Sequence, residues 1–220
     1  MALTKFNYNS FDVTSAASTA LGFNANANGF ATINPGSMTL IKTLTASSSS
    51  NLQFIHGSSD VVLDSTYPVY LFKLINIHGA NSQELNTDFS VDSGSNYNQA
   101  KTTTFFEAKH SEDDGTTSLA YDTARDLAQS NSGVSLTTNV GNGNDESACA
   151  EMYLFNPSST TFVKHFITRS VYYDENGAGV RNSLGAGYRN TTSAVNAVKF
   201  QMDSGNMDSG TIKLYGIKDS

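Results

Sequence analysis

The 220-residue chain has one cysteine, no tryptophan and three prolines. Cys149 alone cannot form an intrachain disulfide, which fits folding in a reducing compartment such as the cytosol. Charge is also scarce. Charged residues make up 15% of the chain, against a usual value of roughly a quarter. The balance is acidic, with 20 Asp and Glu against 13 Lys and Arg and a net charge of −7. No segment gathers Lys and Arg, so nucleic acid is not an expected partner, because phosphate neutralisation needs clustered cations. The same balance argues against an anionic membrane surface. The longest unbroken apolar runs are four residues, such as Val69 to Phe72. No transmembrane helix or signal-peptide core is expected from such runs. The chain reads as soluble, and a role outside a cell would have to be reached without a recognisable amino-terminal signal.

Serine, threonine and asparagine are abundant, with 74 residues between them. Thirteen phenylalanines and ten tyrosines accompany them. Aromatics at this level with a modest net charge exclude a disordered chain. A polar, weakly charged surface with many turns is the expectation for an all-β protein. Two hundred residues suffice for a sizeable core without staples.

Residues 67–78 (Tyr-Pro-Val-Tyr-Leu-Phe-Lys-Leu-Ile-Asn-Ile-His) are dense in β-branched and aromatic types and hold no glycine before Gly79. That is strand composition, and both faces are largely apolar, so a central strand covered on both sides is expected. Further strands are expected over residues 38–44, 52–56, 102–110, 148–155, 162–174, 195–202 and 211–218. Leu85, Thr87, Phe89 and Val91 alternate with polar residues as in a half-buried strand. The last two strands are expected to pair through a hairpin at residues 203–210, rich in Asp, Ser and Gly. Residues 121–129 are the best helix candidate, with Ala124, Leu127 and Ala128 at suitable spacing. Residues 177–187 read as glycine-rich and irregular. The total of roughly eight to ten strands with turn signals between them predicts an antiparallel β-sandwich of jelly-roll type. Residues 1–36 differ, with small polar runs and widely spaced Phe6, Phe11, Phe23 and Phe30. They are expected to form an extended N-terminal arm that packs on its own domain or a neighbour, leaving residues 37–220 as the sandwich.

No catalytic constellation stands out, and no catalytic, cofactor-binding or metal-ligating residue is assigned. His56, His78, His110 and His165 sit in or at the ends of predicted strands without metal-site spacing. Cys149 reads as a small buried residue. Carboxylates gather at Glu112-Asp113-Asp114 and Asp145-Glu146. Asp174-Glu-Asn-Gly-Ala-Gly begins like a calcium loop but puts Ala178 and Gly185 where ligands belong. All three read as solvated loops. Gly141-Asn-Gly and Gly185-Ala-Gly lack the lysine and the strand–helix context of a phosphate loop. A glycan depolymerase would need two carboxylates at a defined separation, and no such pair is identifiable.

Three segments carry a resemblance when taken together: Tyr70-Leu-Phe-Lys-Leu-Ile-Asn-Ile-His, Leu154-Phe-Asn-Pro-Ser-Ser-Thr-Thr-Phe-Val-Lys-His-Phe, and the closing stretch from Phe200 to Lys218. Lys101-Thr-Thr-Thr-Phe-Phe and Leu127-Ala-Gln-Ser fit the same pattern. The chain resembles, from about Met38 onward, virion structural proteins of tailed bacteriophages, especially marine ones. The resemblance implies a virion component without catalytic residues and leaves its place in the particle open; a capsid decoration or cement protein is the first expectation. It would assemble as a homo-oligomer, a homotrimer first, and bind the major capsid protein or tail proteins. The alternative it leaves is a tail-fibre or receptor-binding protein. A host-surface glycan could then meet an aromatic platform, for which Tyr172, Tyr173 and Tyr188 are the candidates. No cofactor is implied.

Overall fold

The computed structural model describes residues 20–23, 30–33 and 37–218. The chain divides into two compact units, one ending at Thr39 and one covering Leu40–Asp219. Most of the expected arm lies outside the described residues. Within it, β1 (Ala20–Phe23) and β2 (Phe30–Ile33) pair antiparallel, with Ala20 opposite Ile33.

From Met38 onward the strands are β3 (Met38–Thr45), β4 (Leu52–Ile55), β5 (Val69–Gly79), β6 (Leu85–Ser90), β7 (Lys101–Ser111), β8 (Thr117–Tyr121), β9 (Leu127–Ser130), β10 (Val134–Ser135), β11 (Ala148–Phe155), β12 (Lys164–Asp174), β13 (Gly179–Arg189), β14 (Ala197–Met202) and β15 (Met207–Ile217). They form two sheets. The larger runs β3-β15-β5-β11-β12-β13-β7-β8, with β9 also on β7, and the smaller runs β10-β6-β14-β4. Phe54, Leu85, Phe89, Val198, Phe200 and Met202 of the smaller sheet share one buried cluster with Tyr70, Phe72, Leu74, Met152, Leu154, Phe166, Ile212 and Leu214 of the larger. The fold is therefore an all-β antiparallel sandwich. The chain passes repeatedly from sheet to sheet, as at β4 to β5, β5 to β6 and β6 to β7, which is the jelly-roll-like feature.

The 67–78 stretch is indeed interior, as β5 between β15 and β11. Tyr70, Phe72 and Leu74 face the core, and a bulge then changes the phase. Asn76 has φ 50°, and the register against β11 slips between Ala148 and Ala150. The extra residue puts Ile77 back in the core. The opposite face is less covered than expected, because Lys73 is half-buried and Ile75 exposed.

Four expectations are corrected. Residues 121–129 are not helical: β8 ends at Tyr121, a turn held by the Asp122 carboxylate, which accepts from Ala124 N at 2.9 Å, follows, and β9 begins at Leu127. Residues 177–187 are not irregular. After a single 3-10 turn at Glu175–Gly177, β13 pairs along its full length with β12 and β7. Its glycines are there for close approach: a Cβ on Gly187 would lie 2.6 Å from Thr102 O and 3.0 Å from Phe166 Cζ. Strand β6 is buried along its whole length rather than on alternate residues. Finally, β14 and β15 do not form a hairpin, because they belong to different sheets. The Asp-Ser-Gly linker is a crossing connection.

Candidate interaction surface

The larger sheet has one face against the smaller sheet and one facing outward. Strand β12 shows this most cleanly. Lys164, Phe166, Thr168, Ser170, Tyr172 and Asp174 are buried, while His165, Ile167, Arg169 and Val171 are exposed. Register carries the outward set across neighbouring strands. Arg169 lies beside Glu151 on β11 and Leu184 on β13, Glu151 beside Lys73 on β5, and Leu184 beside Phe106 on β7. Val171 lies beside Cys149 and Asn182. The β5–β12 half of the face is thus charged and the β12–β8 half is apolar and aromatic. Val180 is 50% exposed, Ile167 49%, Tyr121 51% and Leu119 74%. Phe162, just before β12, is also exposed. Shallow depressions run over the surface, one of about 390 Å³ bounded by Lys73, Ile75, Glu151, Arg169, Val171 and Cys149.

This depression offers no nucleophile with a base. Cys149 is half-buried rather than buried, and its Sγ lies 3.4 Å from Asn76 N and 3.6 Å from Asn76 Oδ1. Glu151 is bracketed by Lys73 and Arg169 in register, an arrangement for charge complementarity rather than proton transfer.

The four histidines do not converge. His56 Nδ1 accepts from Leu63 N at 3.1 Å, and His78 Nε2 lies 3.1 Å from Gly143 O. His110 pairs with Asp114 at 3.0 Å, and His165 packs near the Tyr188 ring. Among the described residues no group of three or more His, Cys, Asp or Glu is placed to hold a metal ion.

The carboxylate loops separate into two kinds. Asp113 accepts from Ser111 Oγ at 2.7 Å and from Gly115 N at 2.8 Å, and Glu146 accepts from Gly143 N at 2.7 Å. These are turn-forming contacts in exposed or partly exposed loops. Asp174 corrects the solvated-loop reading, because it is 1% exposed and ion-paired with Arg181 Nη2 at 2.9 Å.

The candidate aromatic platform also separates. Tyr172 is buried on the inner face. Its hydroxyl accepts from Thr138 N at 2.8 Å and lies 3.1 Å from Ser183 Oγ. Tyr173 and Tyr188 are half-buried on the outer face, opposite Val180 and His165. Eight residues of β12 separate those two register positions, roughly 26 Å of strand. No single sugar ring spans them.

The buried tyrosines have a consequence in alkali. Burial raises the phenol pKa of Tyr70 and Tyr172 and pushes that of Tyr97 up to about 12. A folded-state pKa above the unfolded value near 10 stabilises the fold fully below that value, and the stabilisation is lost as pH rises beyond it. A spectrophotometric titration at the phenolate band is therefore expected to show these tyrosines ionising last, together with unfolding. Tyr70→Phe should shift that alkaline transition upward in pH. A single ionisation step near 10 with the fold intact would contradict the burial described.

Compared with protein-family models, with curated proteins and with solved structures, the chain matches none of them.

Proposed function

We propose that the chain is a structural component of a tailed-phage virion, a capsid decoration protein that assembles as a homo-oligomer and binds the particle through the outer face of its larger sheet. The observation that carries this reading is the exposed apolar set of Phe106, Leu119, Tyr121, Ile167, Val171 and Val180. Monomeric soluble proteins seldom leave such a contiguous set uncovered, and sheet faces of this kind pack against protein. None of the six belongs to the buried cluster between the sheets. The adjacent charged half, with Lys73, Glu151 and Arg169 in one row, supplies register for docking.

The test is the double variant Ile167→Arg, Val171→Arg, compared with wild type. Both substitutions point outward, so the fold is expected to survive with an unchanged melting temperature. Binding to particles that lack the protein should weaken at least tenfold, about 1.4 kcal/mol, and cryo-EM of labelled wild-type protein should find it on the head shell. Label at the tail would turn the assignment to the fibre alternative. Wild-type binding by the double variant would remove the sheet face from the interface.

A further inference from the structure

Three cations lie side by side inside the sandwich. Arg189 on β13 is opposite Lys164 on β12 and Lys101 on β7. Their relative exposures are 0%, 1% and 0%. Adjacent strands lie about 4.8 Å apart, so the row is a continuous band of positive charge. It forms the last inward-facing row of the sheet at this end, beneath residues 99–100 and 190–192. The next row inward holds Phe166, Gly187 and Thr103, with the Phe166 ring 5.1 Å from that of Phe89.

The partners do not balance the charge. Lys101 Nζ bonds Asp88 Oδ1 at 2.6 Å and Gln99 O at 3.0 Å. Lys164 Nζ bonds only carbonyls, those of Phe162 at 2.6 Å and Thr192 at 3.2 Å nearest. Arg189 has no hydrogen-bond partner at Nε, Nη1 or Nη2. At the rim, Lys199 lies opposite Asp88 on the neighbouring strand and sits over the Tyr97 ring. Asp92 is exposed and accepts from Ser90 and Asn96 within its own turn. One buried carboxylate thus faces three buried cations. Burial lowers the pKa of both lysines, and a lysine can answer burial by releasing its proton. Arg189, pushed down to about 10 by the same cause, stays charged at neutral pH. An isolated buried charge is among the costliest arrangements in a fold. Water would satisfy the N–H groups without neutralising the charge.

We propose that Arg189, flanked by Lys101 and Lys164, forms a buried site for one small inorganic anion. The guanidinium fork matches two oxygens of phosphate or sulfate, and Lys164 and Lys101 occupy the register positions on the two neighbouring strands. Because the row lies at the strand ends, entry needs only displacement of the covering loops. Occupancy ties β7, β12 and β13 to the smaller sheet through Asp88, so the anion is a structural ligand.

The experiment uses the full chain freed of small anions, with ionic strength held constant by a bulky organic anion. Equilibrium dialysis with radiolabelled sulfate and phosphate is expected to retain one ion per chain, and the melting temperature should rise saturably, by about 5 °C at a hundredfold excess over Kd. Chloride in a parallel arm reports whether oxygen geometry matters. Arg189→Met should retain no ion and melt no lower than anion-free wild type, because it removes an uncompensated charge. Lys164→Met should weaken retention at least tenfold and keeps the test decisive if Arg189→Met does not fold. No retention by wild type at about 10 mM ion, where mass action would fill any site of useful affinity, overturns the proposal. So does equal retention by a folded Arg189→Met.

Discussion

Phe72→Ala is expected to cost about 4 kcal/mol of folding free energy, the usual range for deleting a buried phenylalanine. That should lower the melting temperature by roughly 10 °C in a domain of this size. Phe72 is fully buried on β5 of the larger sheet. Its ring meets Phe54 edge-on at 5.3 Å and Phe200 at 5.4 Å, and those two meet each other at 6.3 Å. Both partners come from the smaller sheet, on β4 and β14. The loss is therefore of an inter-sheet contact, and the cavity cannot close by moving one flexible side chain, since each wall is anchored in a hydrogen-bonded strand. Such edge-to-face pairs add about 0.5–1.5 kcal/mol beyond area burial. The control is Ile75→Ala on the same strand. Ile75 is exposed on the outer face, and its truncation should change stability by less than about 0.5 kcal/mol. Denaturant melts of the two variants would measure the contrast. Equal costs would mean that the face of β5 assigned to the core is not the one that is buried.

The contrast between those two residues also marks what the sequence makes legible. The β5 stretch could be read because its chemistry is local: β-branched and aromatic residues in an unbroken run need a sheet around them. Strand β11 lies at the residues expected, and the expected 162–174 strand contains all of β12 and overshoots its start by two residues. The residues of β12 alternate between core and surface, with Phe166 inward and Ile167 and Val171 outward, and Tyr172, a candidate for an exposed platform, is inward too. Strand β13 was hidden because its signal is relational. Gly185 and Gly187 look like loop residues until Thr168, Phe166 and the β7 backbone stand beside them. The helix expected at 121–129 failed for a similar reason. The spacing of Ala124, Leu127 and Ala128 carries little weight beside the Asp122 turn and the hydrogen bond from Leu127 N to Thr103 Oγ1 at 2.9 Å. The buried cation row is the extreme case. Lys101, Lys164 and Arg189 meet only through the β7–β13–β12 register, and each alone reads as a surface residue.

The same blindness covered the second buried ionic group, and Arg181→Met should expose it. Arg181 reaches Glu107 through Nη1 and Asp174 through Nη2. Glu107 is 8% exposed and Asp174 1%. Removing one partner of a buried pair leaves the other uncompensated, at a cost of about 3–5 kcal/mol, and here two carboxylates would be left behind. Asp174 Oδ1 and Arg181 Nε have no hydrogen-bond partner, so no spare contact is present to absorb the loss. The melting temperature of Arg181→Met is expected to fall by roughly 10 °C. The decisive comparison adds Glu107→Gln and Asp174→Asn to it. If the penalty is stranded charge, the triple variant should recover most of the loss even though it contains more substitutions. The deviation from additivity should then exceed about 1 kcal/mol. If the triple variant is instead the sum of its parts, Arg181 acts by packing its stem and the carboxylates are neutralised elsewhere. The geometry favours stranded charge, because Arg181 sits opposite Tyr172 on β12. The Tyr172 hydroxyl lies 3.5 Å from Glu107 and also accepts from Thr138 N. The guanidinium thus links β13 to β7 through Glu107 and to the end of β12 through Asp174, and no other described cation is ion-paired with Glu107 or Asp174.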